Sequence, residues 1–267
     1  MSLSAVLFLF LVHLGVGIAA TLLFVSREAG VKFFRFNAGL AAVLIAIALA
    51  LRDGLGSGVA SGGALVALVC GEAALVAYWA TVGRTLARIR PALVAVAVGG
   101  GVAAVIAQAF AASAGRSLSM RLLTVASFVS SAALLGGACT AMVLGHWYLI
   151  LPSMQVQHLQ SIVKLHILSM IARIVVVAAA VYVGMATGQP GFGPSFGRYI
   201  MSAAGVFFWQ RVLFGLAGPA VLSYLTWETA KIRSTQSATG ILYVDFFTVV
   251  VGEVLAKYLL LATQVPV

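Results

Sequence analysis

Eight apolar runs, separated by short polar or glycine-rich connections, constrain this chain more than any other feature. A bilayer core about 30 Å thick takes about 20 apolar residues as α-helix. Runs at about 3–25, 37–51, 58–82, 91–113, 122–151, 160–187, 199–226 and 239–263 meet or approach that length. The second is the shortest. The runs are rich in Ala and Leu and lack period-two alternation, which speaks against membrane strands. The expected fold is all-α: a polytopic integral membrane bundle of about eight transmembrane helices, forming one domain over 1–267.

Charge supports the same reading. Of 267 residues, 63% are hydrophobic and 8% charged, whereas an average soluble domain is about a quarter charged. So few charges could not cover a soluble globule, and the apolar content is far above that of a disordered chain. Sixteen Lys/Arg against six Asp/Glu leave a net charge of +10. Nucleic-acid binding needs such residues gathered on one solvated face. Here they are scattered between apolar runs, so the expected partner is the lipid bilayer and no nucleic acid. The first run has no basic leader, is long for a signal peptide and continues into Ser26-Arg27-Glu28. It reads as a retained helix.

Basic residues near helix ends set orientation. Connections 1–2, 3–4, 5–6 and 7–8 carry Arg27, Lys32, Arg35, Arg84, Arg88, Arg90, Lys164, Lys231 and Arg233. The other side carries Arg52, Arg116, Arg121 and Arg198. This bias puts the first set in the cytoplasm and both termini on the non-cytoplasmic side, the expected setting being a bacterial inner membrane. A weak repeat divides the chain into halves 1–120 and 121–267. Ala87-Arg-Ile-Arg90 and Ala230-Lys-Ile-Arg233 end corresponding spans, and the first and fifth spans share a Leu-Gly motif. Two four-helix halves or chance likeness of membrane helices both account for this.

Ionisable residues inside spans are costly and mark function by default. They are His13, Glu72, His146, His166, Arg173, Arg211, Asp245, Glu253 and Lys257. His146 and His166 flank the 5–6 connection, where Pro152 ends the fifth helix, and should sit at similar depth. Paired imidazoles there would suit a b-type haem, with Arg173 on the same face as His166 for a propionate or a quinone oxygen. A quinone alone would use His146 with Trp147 and Tyr148. His-Trp-Tyr at a membrane boundary is equally an interfacial anchor. His13, one turn before Gly17, is the next ligand or quinone contact. Glu253 and Lys257 read as an i,i+4 ion pair. Glu72 and Arg211 could pair across the third and seventh spans, and Pro219 should kink the seventh. Gly137, Ala141 and Gly145 form a small-residue row for helix approach. Cys70 and Cys139 read as buried apolar residues, and Gly99-Gly-Gly101 as a packing feature.

In outline, eight helices in four-plus-four halves are similar to the quinone-reactive membrane anchors of multi-subunit oxidoreductases. That likeness is architectural and carries no residue across. The expected function is a membrane subunit of an electron-transfer complex, binding haem b, quinone or both beside other subunits. The competing classes are a proton-coupled transporter using Glu72, Asp245 and Glu253, and a non-catalytic assembly subunit.

Overall fold

A computed structural model describes residues 3–52, 62–84, 87–151, 154–186 and 202–267. The described chain is helical throughout, without strands. The elements are α1 (Leu3–Thr21), a short 3-10 turn (Arg27–Ala29), α2 (Gly30–Ala50), α3 (Gly62–Thr81), α4 (Arg90–Ala112), α5 (Leu118–Ile150) and α6 (Val156–Ala186). They continue as α7 (Ala203–Val212), a π-helical turn (Leu213–Ala217), α8 (Gly218–Lys231) and α9 (Thr235–Thr263). With α7, the π turn and α8 read as one span, eight helices are long and apolar enough to cross a membrane. Side-chain oxygens cap several starts: Ser117 accepts from the Met120 amide and Ser202 from the Gly205 amide.

The second span is longer than its apolar run. It starts at Gly30, which places Lys32 and Arg35 in the first turns of a helix and not in a connection. Their long stems allow this, because the methylenes lie along apolar surface while the charges reach outward. Expectations resting on Pro152 and on Arg198 lie outside the described residues. Pro219 follows the π turn directly, so the seventh span is irregular where proline removes a backbone donor.

Large apolar side chains face outward, among them Val43, Val66, Val96, Leu168, Val175, Val221 and Phe247. An exterior this apolar suits hydrocarbon. Cys70 is part of it. It is exposed, whereas Cys139 is buried, which corrects the expectation for Cys70; the periodicity of α3 turns it away from the core.

Two helices form the centre. The apolar windows of α1 and α5 are each 67% buried, and that of α9 follows at 50%. The first two run parallel: His13 meets Ser131 and Thr21 meets Thr140, so both numbers rise together. Where they cross, a Cβ on Gly17 would strike the backbone of Ala132, and one on Gly136 the backbone of Gly17. One turn on, the Thr21 and Thr140 hydroxyls hydrogen-bond at 2.5 Å. The same Gly-x-x-x-Thr pattern therefore acts from both sides of the crossing. In the first half, α1 packs on α2, α2 on α3, α3 on α4 and α4 back on α1; in the second, α5, α6, α7–α8 and α9 repeat the scheme. Glycines meet in both end pairs, Gly71 with Gly100 and Gly215 with Gly252.

Contacts also gather the connections onto one rim. His158 bonds Glu28 at 2.7 Å, Gln160 donates to the Ala230 carbonyl at 3.2 Å, and Arg35 lies 5.4 Å above the Trp79 ring. These link the 1–2, 5–6, 7–8 and 3–4 ends, and with them the nine basic residues counted on that side.

Candidate functional site

The polar residues that most disturb the apolar pattern converge on Glu253 of α9. Its carboxylate is fully buried and receives five donors. Oε1 accepts from Arg173 Nε and Arg211 Nη2, both at 2.9 Å. Oε2 accepts from Arg173 Nη2 at 3.2 Å, Lys257 Nζ at 3.1 Å and Ser131 Oγ at 2.5 Å. A carboxylate offers about four lone-pair sites, so this one is saturated. Of the helices that bring these groups, α5 packs on both α6 and α9, and α7 packs on α9; Arg173 reaches across from α6 to α9.

Each partner is held from a second direction. Arg173 Nη1 donates to Ser127 Oγ at 2.6 Å and to the Ser127 carbonyl at 3.2 Å, and Nη2 reaches the Val267 carbonyl at 3.4 Å. Arg211 is folded under glycine: a Cβ on Gly215 would collide with its Nη1, and Gly252 lies against the same atom. Its Nε and Nη1 are buried without acceptors. Lys257 Nζ also donates to Ser131 Oγ at 2.5 Å.

Ser131 ties the cluster to His13. The imidazole Nδ1 lies 3.2 Å from Ser131 Oγ. A serine has one hydrogen to give, and Glu253 takes it. Nδ1 of His13 therefore carries the proton and donates, an assignment made from the network. Nε2 of His13, buried and without a partner, is then the free lone pair of a neutral ring. His13 is the eleventh of the nineteen residues of α1, so the cluster lies at mid-span of this central helix. Its ring packs edge-on against Phe128, with centroids 4.7 Å apart.

Charge does not balance here. One carboxylate faces two guanidiniums and an ammonium, all fully or almost fully buried. Desolvation makes such an arrangement expensive unless geometry and hydrogen bonding compensate. Here every ion pair is hydrogen-bonded, and among the side chains three cations face one carboxylate.

A second buried pair lies nearer the basic rim. His166 Nε2 and Asp245 Oδ2 are 2.7 Å apart and both fully buried. The remaining atoms, His166 Nδ1 and Asp245 Oδ1, have no partner. His146 is exposed and meets Tyr243 through Nδ1 at 3.0 Å. Tyr243 and Asp245 are two residues apart on α9, so they leave it in directions about 200° apart at 3.6 residues per turn. His146 and His166 are thus engaged on different faces of α9. The structure does not bring them together as a pair.

The other expected residues divide similarly. Glu253 and Lys257 pair at 3.1 Å, as their spacing implies. Arg173 shares the buried face with His166, but meets Glu253. Arg211 also takes Glu253, and the expected pairing with Glu72 does not form. Glu72 is half-buried on α3, its Oε2 has no partner, and it makes no ion pair among the described residues. The glycine row is used by two helices: Gly137 lies against His166, and Gly145 against Thr239 and Leu242. Gly100 packs on Gly71, and Gly101 on Val16.

Sequence reading missed Ser127, Ser131 and Tyr243. Ser127 and Ser131 are spaced i,i+4 in an otherwise apolar helix, which puts two hydroxyls on one face. That stripe was the available signal. No group of three or more metal-binding side chains occurs among the described residues. The chain matches no protein-family model, and comparison with curated proteins and with solved structures found no similar chain.

Proposed function

We propose that the chain is a proton-handling, quinone-reactive membrane subunit of an electron-transfer complex, and that the Glu253 network is its working centre. The observation that carries this reading is the line His13–Ser131–Glu253, buried at mid-membrane and enclosed by three cations. Buried cations in excess of carboxylates inside a bilayer are retained where a negative or electron-rich group has to be held. Nε2 of His13 and the Nε and Nη1 hydrogens of Arg211 are the unused polar atoms of the cluster. They are one acceptor and two donors, the polar set that suits a hydroxyl oxygen giving its proton to Nε2.

The chain's own residues define a relay. A proton taken up at Nε2 of His13 lets the Nδ1 proton pass to Ser131 Oγ, while the hydroxyl hydrogen moves to Glu253 Oε2. His13 ends neutral in the other tautomer, and Glu253 ends as the acid. Guanidinium keeps its proton, so Lys257 is the cation able to release one in exchange. A quinone bound beside this line would supply a couple in which two electrons and two protons travel together. A narrow apolar opening of about 110 Å³ begins one turn from His13, lined by Val16, Gly17, Val105, Val129 and Ala132 among others. A haem would draw on His146 and His166, whose contacts lie on different faces of α9, so the reading here is built on the quinone.

The test is organic extraction of protein purified from its native membranes, with the visible spectrum recorded on the same sample. Quinone is expected near one per chain, reduced several-fold by His13→Leu in folded protein. Ser131→Ala should retain quinone and slow its proton-coupled turnover. A Soret band abolished by His166→Ala would replace this reading with the haem one.

A second reading, a proton-coupled transporter, rests on the π turn that interrupts the seventh span beside Gly252, since π turns gather at functional sites. It also uses Glu72, a carboxyl without an ion-pair partner inside a span. Solute uptake into proteoliposomes that is lost on Glu72→Gln, with no quinone in the extract, would favour it. The bias of basic residues places the shared rim in the cytoplasm and both described ends outside, with partner subunits supplying the extramembrane chemistry.

A further inference from the structure

A groove on the outside of the bundle shares no residue with the Glu253 network. It lies between α2 and α3 and has a volume of about 460 Å³. Its walls are Phe36, Leu40, Val43 and Trp79, and its mouth is formed by Lys32 and Arg35. Phe36 and Val43 are more than half exposed, so the groove opens toward hydrocarbon. The Trp79 indole lies so close over Gly39 that any added Cβ would meet Nε1; the glycine is what permits the groove floor.

Neither cation at the mouth is ion-paired among the described residues. Among the described acidic residues, Glu28 is taken by His158, Glu228 by Lys231, Asp245 by His166 and Glu253 by the buried cluster. Glu72 stands in mid-span, without an ion pair. Lys32 and Arg35 also sit in the first turns of α2, where the free amides and the helix dipole add positive potential. No side chain caps that end. Arg35 rests on the Trp79 face at 5.4 Å, which holds its guanidinium at the groove mouth.

Dimensions identify what fits. From Lys32 to Val43 the helix rises about 16 Å, at ~1.5 Å per residue. That is about half of a ~30 Å hydrocarbon core, the depth of one leaflet. The ligand must be anionic at one end and carry an apolar tail one leaflet long.

We infer that this groove binds a single anionic phospholipid, its phosphate between Lys32 and Arg35 and an acyl chain along Phe36, Leu40 and Val43 under Trp79. Purified protein in detergent is titrated with dioleoyl phosphatidylglycerol or dioleoyl phosphatidylcholine and read by native mass spectrometry. The anionic lipid should bind at several-fold lower concentration, and Lys32→Gln with Arg35→Gln should erase that preference without altering phosphatidylcholine binding. Lys231→Gln, whose cation is already paired, should keep it. Gly39→Leu should weaken both lipids by displacing Trp79. Equal affinity for the two lipids, a preference that survives the double variant, or displacement by millimolar inorganic phosphate would overturn the inference.

Discussion

Glu253 holds five hydrogen-bond donors and three cations, so its removal exposes every cost that the cluster now offsets. Glu253→Gln keeps the size of the side chain and leaves two guanidiniums and an ammonium buried without a counter-charge. Breaking a buried pair in this way costs about 3–5 kcal/mol, and the thermal midpoint in detergent should fall accordingly. Glu72→Gln is the control. Glu72 makes no ion pair, so that variant should melt near the parent. Ser131 works differently: its hydroxyl makes one link each to His13, Glu253 and Lys257. Ser131→Ala removes a bridge and no charge but leaves the buried His13 Nδ1–H unpaired, which should cost about 1–3 kcal/mol of stability while interrupting the relay. Glu253 and Lys257 were legible as a pair because four residues on one helix fix their neighbourhood. Arg173 and Glu253 were not, because they lie 80 residues apart and no local periodicity links α6 to α9.

At the scale of elements, glycine decides where backbones approach. The α1–α5 crossing has Gly17 against Gly136, and small residues are the usual means by which membrane helices come close. Gly136→Val should push α1 away, lengthen the His13–Ser131 contact and destabilise the fold by about 1–3 kcal/mol or more, the range for overpacking. Gly99→Val, where an added Cβ meets nothing, should leave the melting profile nearly unchanged; paired melts of the two variants check this. The π turn is a second local feature with a distant effect. It puts Gly215 over Arg211 and against Gly252, letting the guanidinium reach Glu253 without a side chain in the way. Pro219 signalled an irregular seventh span, whereas the π turn and the arginine beneath it needed α9 in place.

For the whole molecule, the contacts among the connections make the two rims unequal. One rim holds the 1–2, 3–4, 5–6 and 7–8 ends and carries Arg27, Arg84, Lys231 and Arg233; Arg116 and Arg121 belong to the other. In a background lacking Cys70 and Cys139, single cysteines at Ser26 and Ser234 should be labelled from the same side of intact cells. A cysteine at Ser119 should be labelled from the opposite side. Protection of Ser26 from an impermeant maleimide, with labelling at Ser119, would match the charge bias. The reverse pattern would invert the molecule without changing its fold.

The amino-acid sequence by itself determined the solvent, the number of spans and the identity of the costly residues. Each follows from a single helix facing hydrocarbon: length is set by bilayer thickness, and every charge in a span carries its own desolvation cost. Only the tertiary structure decided which charges meet. Glu253 collects partners from α5, α6, α7 and α9, His166 takes Asp245, and Glu72 makes no ion pair. Those outcomes depend on the rotation and separation of neighbouring helices, and glycine contacts at the crossings set both. The 8% of residues that are charged therefore defined a membrane protein, and the packing of its helices turned a few of them into a buried network.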